Sequence, residues 1–158
     1  MNSGLALFLA LVIGVVAGLR SMTAPAVVAW AAYLGWINIH GSPLEFMGSV
    51  WAVGIFTLLA VGELVTDKLP TTPSRTAAVG LGARFVTGAL SGACLAVAGD
   101  ARLWLGALAG AAGGIIGAFA GHRARVGLVR TLHVRDFAIA VPEDLIAIGL
   151  GFFAASRF

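Results

Sequence analysis

Charged residues in this chain are confined almost entirely to the ends of long apolar runs, and this pattern limits the folds open to it. Charged residues make up 11% of the chain and hydrophobic residues 59%, whereas an ordinary soluble domain is about one-quarter charged. A soluble fold of this size needs a polar exterior that such a composition cannot supply. The abundant apolar residues also exclude intrinsic disorder. The sequence therefore predicts an all-α, polytopic helical membrane protein.

Six apolar segments are predicted to form membrane helices in a single transmembrane domain over residues 1–158. Thr23 is predicted to cap the second helix, and Pro25 to lie in its first turn. From Ala24 this helix reaches only about 24 Å, so it is short for a hydrocarbon core of about 30 Å. Pro142 interrupts the last segment and is predicted to start a helix there. The segments cover approximately residues 3–19, 26–39, 44–65, 76–98, 103–121 and 137–155.

The distribution of basic residues predicts the orientation in the membrane. The first segment has no Lys or Arg ahead of it, so we interpret it as a retained helix and not as a cleaved signal peptide. Only Arg102 and Arg157 fall on the side of the termini. The opposite loops hold Arg20, Lys68, Arg75, Arg123, Arg125, Arg130 and Arg135. By the positive-inside rule, both termini are expected in the periplasm of a bacterial inner-membrane protein.

Glycine spacing on the fifth segment predicts close helix packing. Two sets of glycines recur every four residues, and each set forms one face of the helix. We expect these glycine-rich faces to support a homo-oligomer. The sets are Gly106, Gly110 and Gly114, and Gly113, Gly117 and Gly121.

A short internal similarity suggests two repeat halves, at about residues 1–75 and 76–158. Residues 13–20 match residues 116–123 at five of eight positions. Chance similarity between Gly- and Ala-rich helices is one explanation, and duplication is the other. Repeats with short or interrupted helices in corresponding positions are typical of transporters.

Two acidic clusters and an arginine are the main candidates for a binding site. Glu63 and Asp67 are four residues apart and share a helix face, with Lys68 and Arg75 as candidate neutralising charges. Arg84 falls deep in the fourth segment, so we expect it to pair with Glu63 or Asp67, although this pair could be structural. Solvated charges at the membrane interface are the alternative for the two acids.

The second acidic cluster and Arg20 lie beside predicted helix starts. Glu143 and Asp144 follow Pro142, where acidic side chains favour a helix N-terminus. Arg20, with Thr23 and the start of the second helix, could hold an anionic group. Contact of Arg20 with lipid phosphate is the alternative.

Complete catalytic motifs are lacking, so we do not expect an enzyme. The three histidines lack metal-ligand spacing, and no phosphate-binding loop or dinucleotide fingerprint is visible. No cofactor, no metal site and no nucleic-acid partner are therefore expected.

Two sequence features together resemble a known family. Glu63 is followed by Asp67, Lys68 and Pro70 at the end of a segment, and Glu143 and Asp144 come late in the chain. This pattern is similar to the bacterial membrane-protein family called domain of unknown function 4126, in its shorter form. Longer members carry Gly-Leu-Asn where this chain has Gly18-Leu19-Arg20, a departure at Arg20. The resemblance implies a fold and a site location but no activity.

We expect a small inner-membrane transporter or channel-like protein. A polar or ionic solute would bind at a mid-membrane site, with membrane lipids as the other partners. The alternative is a non-transporting scaffold or lipid-binding protein in which the buried charges are structural. The site residues are Glu63, Asp67, Arg84, Glu143, Asp144, Arg20 and Thr23.

Overall fold

Six α-helices and one short 3-10 helix form the described part of the chain, which is residues 2–67, 77–132 and 136–158 of a computed structural model. The all-α prediction is confirmed. Three stretches in the described part are long and apolar enough to cross a membrane: Ala78–Ala98, Leu103–Leu132 and Ala138–Ala155. The helices are α1 Ser3–Leu19, α2 Thr23–Tyr33, the 3-10 helix Glu45–Gly48, α3 Val50–Thr66, α4 Ala78–Ala98, α5 Leu103–Leu132 and α6 Asp136–Ala155.

Helix α2 is even shorter than its sequence predicted. It has 11 residues and ends at Tyr33, which corresponds to about 16 Å and to roughly half the hydrocarbon thickness. Gly35 follows with a φ of +74°, a conformation that glycine adopts at little cost just after a helix. The chain returns to α3 through residues 34–49, where Ile37, Ile39 and Met47 are buried.

The predicted end of the fifth helix and the predicted helix start at Pro142 are also wrong. Helix α5 does not end at Gly121 but continues through the basic stretch to Leu132, because arginine is a good helix former and charge alone does not end a helix. Helix α6 begins at Asp136, so Pro142 lies inside it and not in its first turn. Proline lacks an N–H, so the carbonyl of Ala138 loses its usual helical hydrogen bond.

Helix α5 lies between α1 and α4, and its two glycine faces explain this position. Gly110 packs on Gly88 of α4, and Gly113 packs on the Leu11 carbonyl of α1. A Cβ atom at either glycine would overlap a backbone carbonyl of the neighbouring helix. Both faces are therefore filled within one chain, so a homo-oligomer would need another surface. Gly14 and Gly18 of α1 meet Gly110 and Gly114 in the same order along the chain, so α1 runs parallel to α5. Gly88 and Gly92 of α4 meet Gly110 and Gly106 in the opposite order, so α4 runs antiparallel to α5.

The other three helices surround this core. Helix α6 packs against α1, α2 and, to a smaller extent, α5, whereas α3 packs mainly against α2. The two sequence copies that suggest a repeat lie on α1 and α5, which are neighbouring parallel helices. If the two repeat halves met at residue 75, however, α1 would correspond to α4 and not to α5. Duplication of the chain therefore stays a prediction.

Candidate functional site

Arg20 lies between α1 and α2 and links two other helices. It is the C-cap residue of α1 and is fully buried, at 0% exposure. Its guanidinium forms an ion pair with Asp67, directly after α3, and another with Asp144 of α6 at 2.5 Å. Two acidic residues that are distant in sequence therefore meet at one buried cation. We refer to Arg20, Glu63, Asp67, Arg84 and Asp144 as the Arg20 cluster.

Glu63, a residue of α3, caps the start of α2. Its Oε1 accepts hydrogen bonds from the Ser21 backbone N–H and hydroxyl, both at 2.8 Å. Its Oε2 accepts from the Met22 N–H, also at 2.8 Å. The prediction that Thr23 caps α2 is wrong, because Met22 is the N-cap residue and Thr23 is already helical. A carboxylate from α3 thus accepts hydrogen bonds from backbone N–H groups that a local side chain caps at most helix starts.

Arg84 binds backbone carbonyls as well as facing a carboxylate. Its Nε donates to the Gly18 carbonyl at 3.0 Å, and one terminal nitrogen donates to the Gly80 carbonyl at 2.9 Å. The other terminal nitrogen lies 3.9 Å from Glu63 Oε1. The Gly18 carbonyl belongs to the last turn of α1, where helix carbonyls lack an intrahelical partner. Arg84 therefore joins α4 to the end of α1 while adding positive charge beside Glu63.

Glu143 and Asp144 are adjacent but bind different arginines. Asp144 faces Arg20, whereas Glu143 Oε2 lies 3.5 Å from a terminal nitrogen of Arg125 on α5. Consecutive helical residues point about 100° apart, which explains why the two carboxylates face different arginines. Both lie about two turns into α6, so they do not form its first turn as the sequence suggested.

The Arg20 cluster lies toward one end of the bundle and not at its middle. Arg84 is six residues into α4 and Asp144 eight residues into α6, which places them about 9 and 12 Å from the ends of helices about 30 Å long. The cluster is thus about one-third of the way along these helices. Lys68 and Arg75, the candidate neutralising charges, lie outside the described residues, as does Arg135.

Sequence reasoning missed Ser21, the Gly18 carbonyl and Arg125 as members of these networks. Ser21 follows Arg20 and precedes a helix start, a position that could have suggested an anion-binding role. Arg125 is 18 residues from Glu143, and no local spacing links the two. The Thr23 side chain, although 4% exposed, makes none of the contacts described for Glu63.

Comparison with known proteins identifies the family. The model of the family described as Domain of unknown function (DUF4126) matches residues 7–156. The chain therefore belongs to this family, as its acidic motifs predicted. Searches of curated proteins and of solved structures gave no match.

Proposed function

We propose that this member of the Domain of unknown function (DUF4126) family is a small transporter or channel-like membrane protein that binds a polar or ionic solute at the Arg20 cluster. One observation carries the proposal: a fully buried arginine is shared by carboxylates from two helices at the break between α1 and α2. Ionisable groups inside membrane segments are costly and commonly mark solute, ion or proton pathways. Interrupted helices that line such sites are typical of transporters.

The composition of the Arg20 cluster suggests how it would work. Within the cluster as defined, two arginines face three carboxylates. A proton or a small cation that binds there would compete with the arginines for a carboxylate. Neutralising Asp67 or Asp144 would weaken one link to Arg20 and loosen α3 or α6 from the α1–α2 junction. Solute or ion binding would in this way be coupled to helix movement.

A structural role is the second candidate, and the hydrogen bonds of Glu63 and Arg84 favour it. Glu63 accepts three hydrogen bonds, and Arg84 donates to two carbonyls. Hydrogen bonds of this kind can lock helices together without binding any solute. In that case the protein would be a scaffold whose buried charges only hold the bundle.

Flux and stability measurements on the same variants separate these two functions. We would reconstitute Asp67→Asn and Asp144→Asn into liposomes that contain a pH-sensitive dye. Proton flux would be recorded under an imposed potential, with and without sodium, together with thermal unfolding in detergent. The matched control is Asp100→Asn, because Asp100 is exposed in the α4–α5 turn with a φ of +56° that asparagine also tolerates.

Transport predicts that the wild-type protein and Asp100→Asn give flux, whereas the two cluster variants lose flux but stay folded. A scaffold predicts that none of these proteins gives flux and that the cluster variants unfold at lower temperature. Flux through the wild-type protein together with loss of folding in both cluster variants would support transport but would make the Arg20 cluster a structural element and not the solute site.

A further inference from the structure

A pocket of about 220 Å³ lies between the end of α1, α5 and α6, beside the Arg20 cluster. Its walls include Leu19, Leu128, Pro142 and Ile146, so they are mainly apolar. It is larger than the 150 Å³ engineered cavity that admits benzene. Ile146 is 56% exposed, so the pocket opens on its outer side. An apolar groove that opens to the side of a membrane protein is accessible to lipid acyl chains.

A charged pair lies in the wall of the same pocket, with both side chains largely buried. Arg125 and Glu143 both line it, and their closest charged atoms are 3.5 Å apart. A guanidinium carries five N–H donors, so Arg125 can bind a phosphate while it remains beside Glu143. Arg125 lies one helical turn beyond Gly121, where the uncharged part of α5 ends and its basic part begins.

The charge of α5 favours an anionic occupant. From Leu103 to Leu132 this helix contains no Asp or Glu, whereas its last three turns carry Arg123, Arg125 and Arg130. Basic pockets between helices on the cytoplasmic side of a membrane commonly bind anionic lipid headgroups. Arg123 and Arg130 lie about 160° and 140° around the helix from Arg125. Among these three arginines, only Arg125 lines the pocket.

We propose that this pocket binds one anionic phospholipid. An acyl chain lies against Leu19, Pro142 and Ile146, and the phosphate binds the Arg125 guanidinium. Glu143, which faces Arg125, is adjacent in sequence to Asp144, which binds Arg20. Lipid binding would therefore also bias the position of α6 at the Arg20 cluster. This lipid site is independent of the proposed solute transport and would also exist in a scaffold.

The test measures binding of short-chain phosphatidylglycerol and phosphatidylcholine to the detergent-purified protein, by thermal shift and by native mass spectrometry. We expect the wild-type protein to prefer phosphatidylglycerol. Arg125→Gln should bind it about tenfold more weakly, as expected for loss of a charge-assisted hydrogen bond, and Arg125→Lys should restore part of the affinity. Ala124→Phe, which fills the pocket, should reduce binding of both lipids.

Arg123→Gln and Arg130→Gln are the matched controls, because they remove the same charge from the opposite face of α5. They should keep the wild-type preference. Equal binding of both lipids to the wild-type protein, or an equal loss in Arg123→Gln and Arg125→Gln, would overturn the proposal in favour of a diffuse basic surface. Inorganic phosphate is included as a separate probe, and stabilisation by phosphate alone would likewise refute the need for an acyl chain. Should Arg125→Gln fail to fold, Ala124→Phe and Arg125→Lys decide the question.

Discussion

A guanidinium can bind two carboxylates at once because its N–H donors form a planar fork, which a lysine ammonium lacks. Arg20 is buried between Asp67 and Asp144, so its loss would leave both aspartates without this cation. We expect Arg20→Met to lower the free energy of unfolding by about 3–5 kcal/mol, with Arg20→Lys in between. Thermal and denaturant unfolding in detergent would measure the loss. The control is Arg157→Lys, because Arg157 stacks over Phe153 at the exposed C-terminal end. If Arg20→Met unfolded at the same temperature and denaturant concentration as the wild-type protein, the bridging role of Arg20 would be contradicted.

Glu45 provides a pH-dependent prediction outside the membrane-spanning helices. Two hydrogen bonds lower the pKa of Glu45 below its usual value of 4.5: the larger effect comes from the His40 ring and the smaller one from the Gly41 N–H. A lowered folded pKa means that this contribution to stability is present above the unfolded pKa and is lost as pH falls through the folded pKa. His40→Ala should therefore raise the Glu45 pKa toward its usual value. NMR titration of labelled Glu45 would measure this, and an unchanged titration midpoint would refute the contact.

At the scale of elements, the glycine faces of α5 determine how closely α1 and α4 approach it. A Cβ at Gly110 would overlap the Gly88 carbonyl, and backbone atoms cannot move aside as a flexible side chain can. We expect Gly110→Ala to destabilise the protein by about 1–3 kcal/mol, as overpacking does. Gly127→Ala on the same helix is the control, because a Cβ there meets nothing within 4 Å. Gly127→Ala should stabilise the helix by up to about 1 kcal/mol. Thermal unfolding should therefore shift to lower temperature in Gly110→Ala and to higher temperature in Gly127→Ala. Equal shifts in the two variants would exclude close packing as the cause.

At the scale of the whole molecule, the two ends of the bundle differ in chemistry. All four tryptophans lie near the end of α2 and the starts of α3 and α5, at Trp30, Trp36, Trp51 and Trp104. The arginines at the end of α5 lie at the other end of the bundle. Tryptophan is enriched at both membrane interfaces, whereas arginine is enriched on the cytoplasmic side, so the arginines decide the orientation. We propose, on this basis, that the tryptophan end and both termini face the periplasm.

Cysteine labelling in whole cells tests this orientation. Cys94 is the only cysteine in the sequence and is fully buried, so the wild-type chain should give little background. A membrane-impermeant maleimide should label Ser156→Cys in intact cells, but Gly127→Cys only after the cells are broken. Both parent residues are exposed. The reverse pattern would show that the positive-inside prediction is wrong for this chain.

Features that depend on nearby residues could be predicted from the sequence. Helix α1 covers residues 3–19 as predicted, because an apolar run ends there at Arg20. The α4–α5 turn occupies residues 99–102, the gap between the predicted segments 76–98 and 103–121, where glycine and aspartate tolerate the backbone conformation. The two glycine faces followed from helical spacing alone, and the acidic motifs indicated the family. Local sequence was misleading at Arg123 and Pro142, because a helix can continue through a charged stretch and can retain an internal proline when it is packed in a bundle.

Tertiary structure alone decided which charged groups meet. Several carboxylates could pair with several arginines on charge alone, and the choice depends on the heights and rotations at which the helices pack. The glycine contacts of α5 set the position of α1, and the end of α1 carries Arg20 to Asp67 and Asp144. The same packing brings Glu63 to the start of α2, where a local cap was expected. Residue spacing specifies the face of a helix, whereas the register between helices is set only when their backbones come into contact.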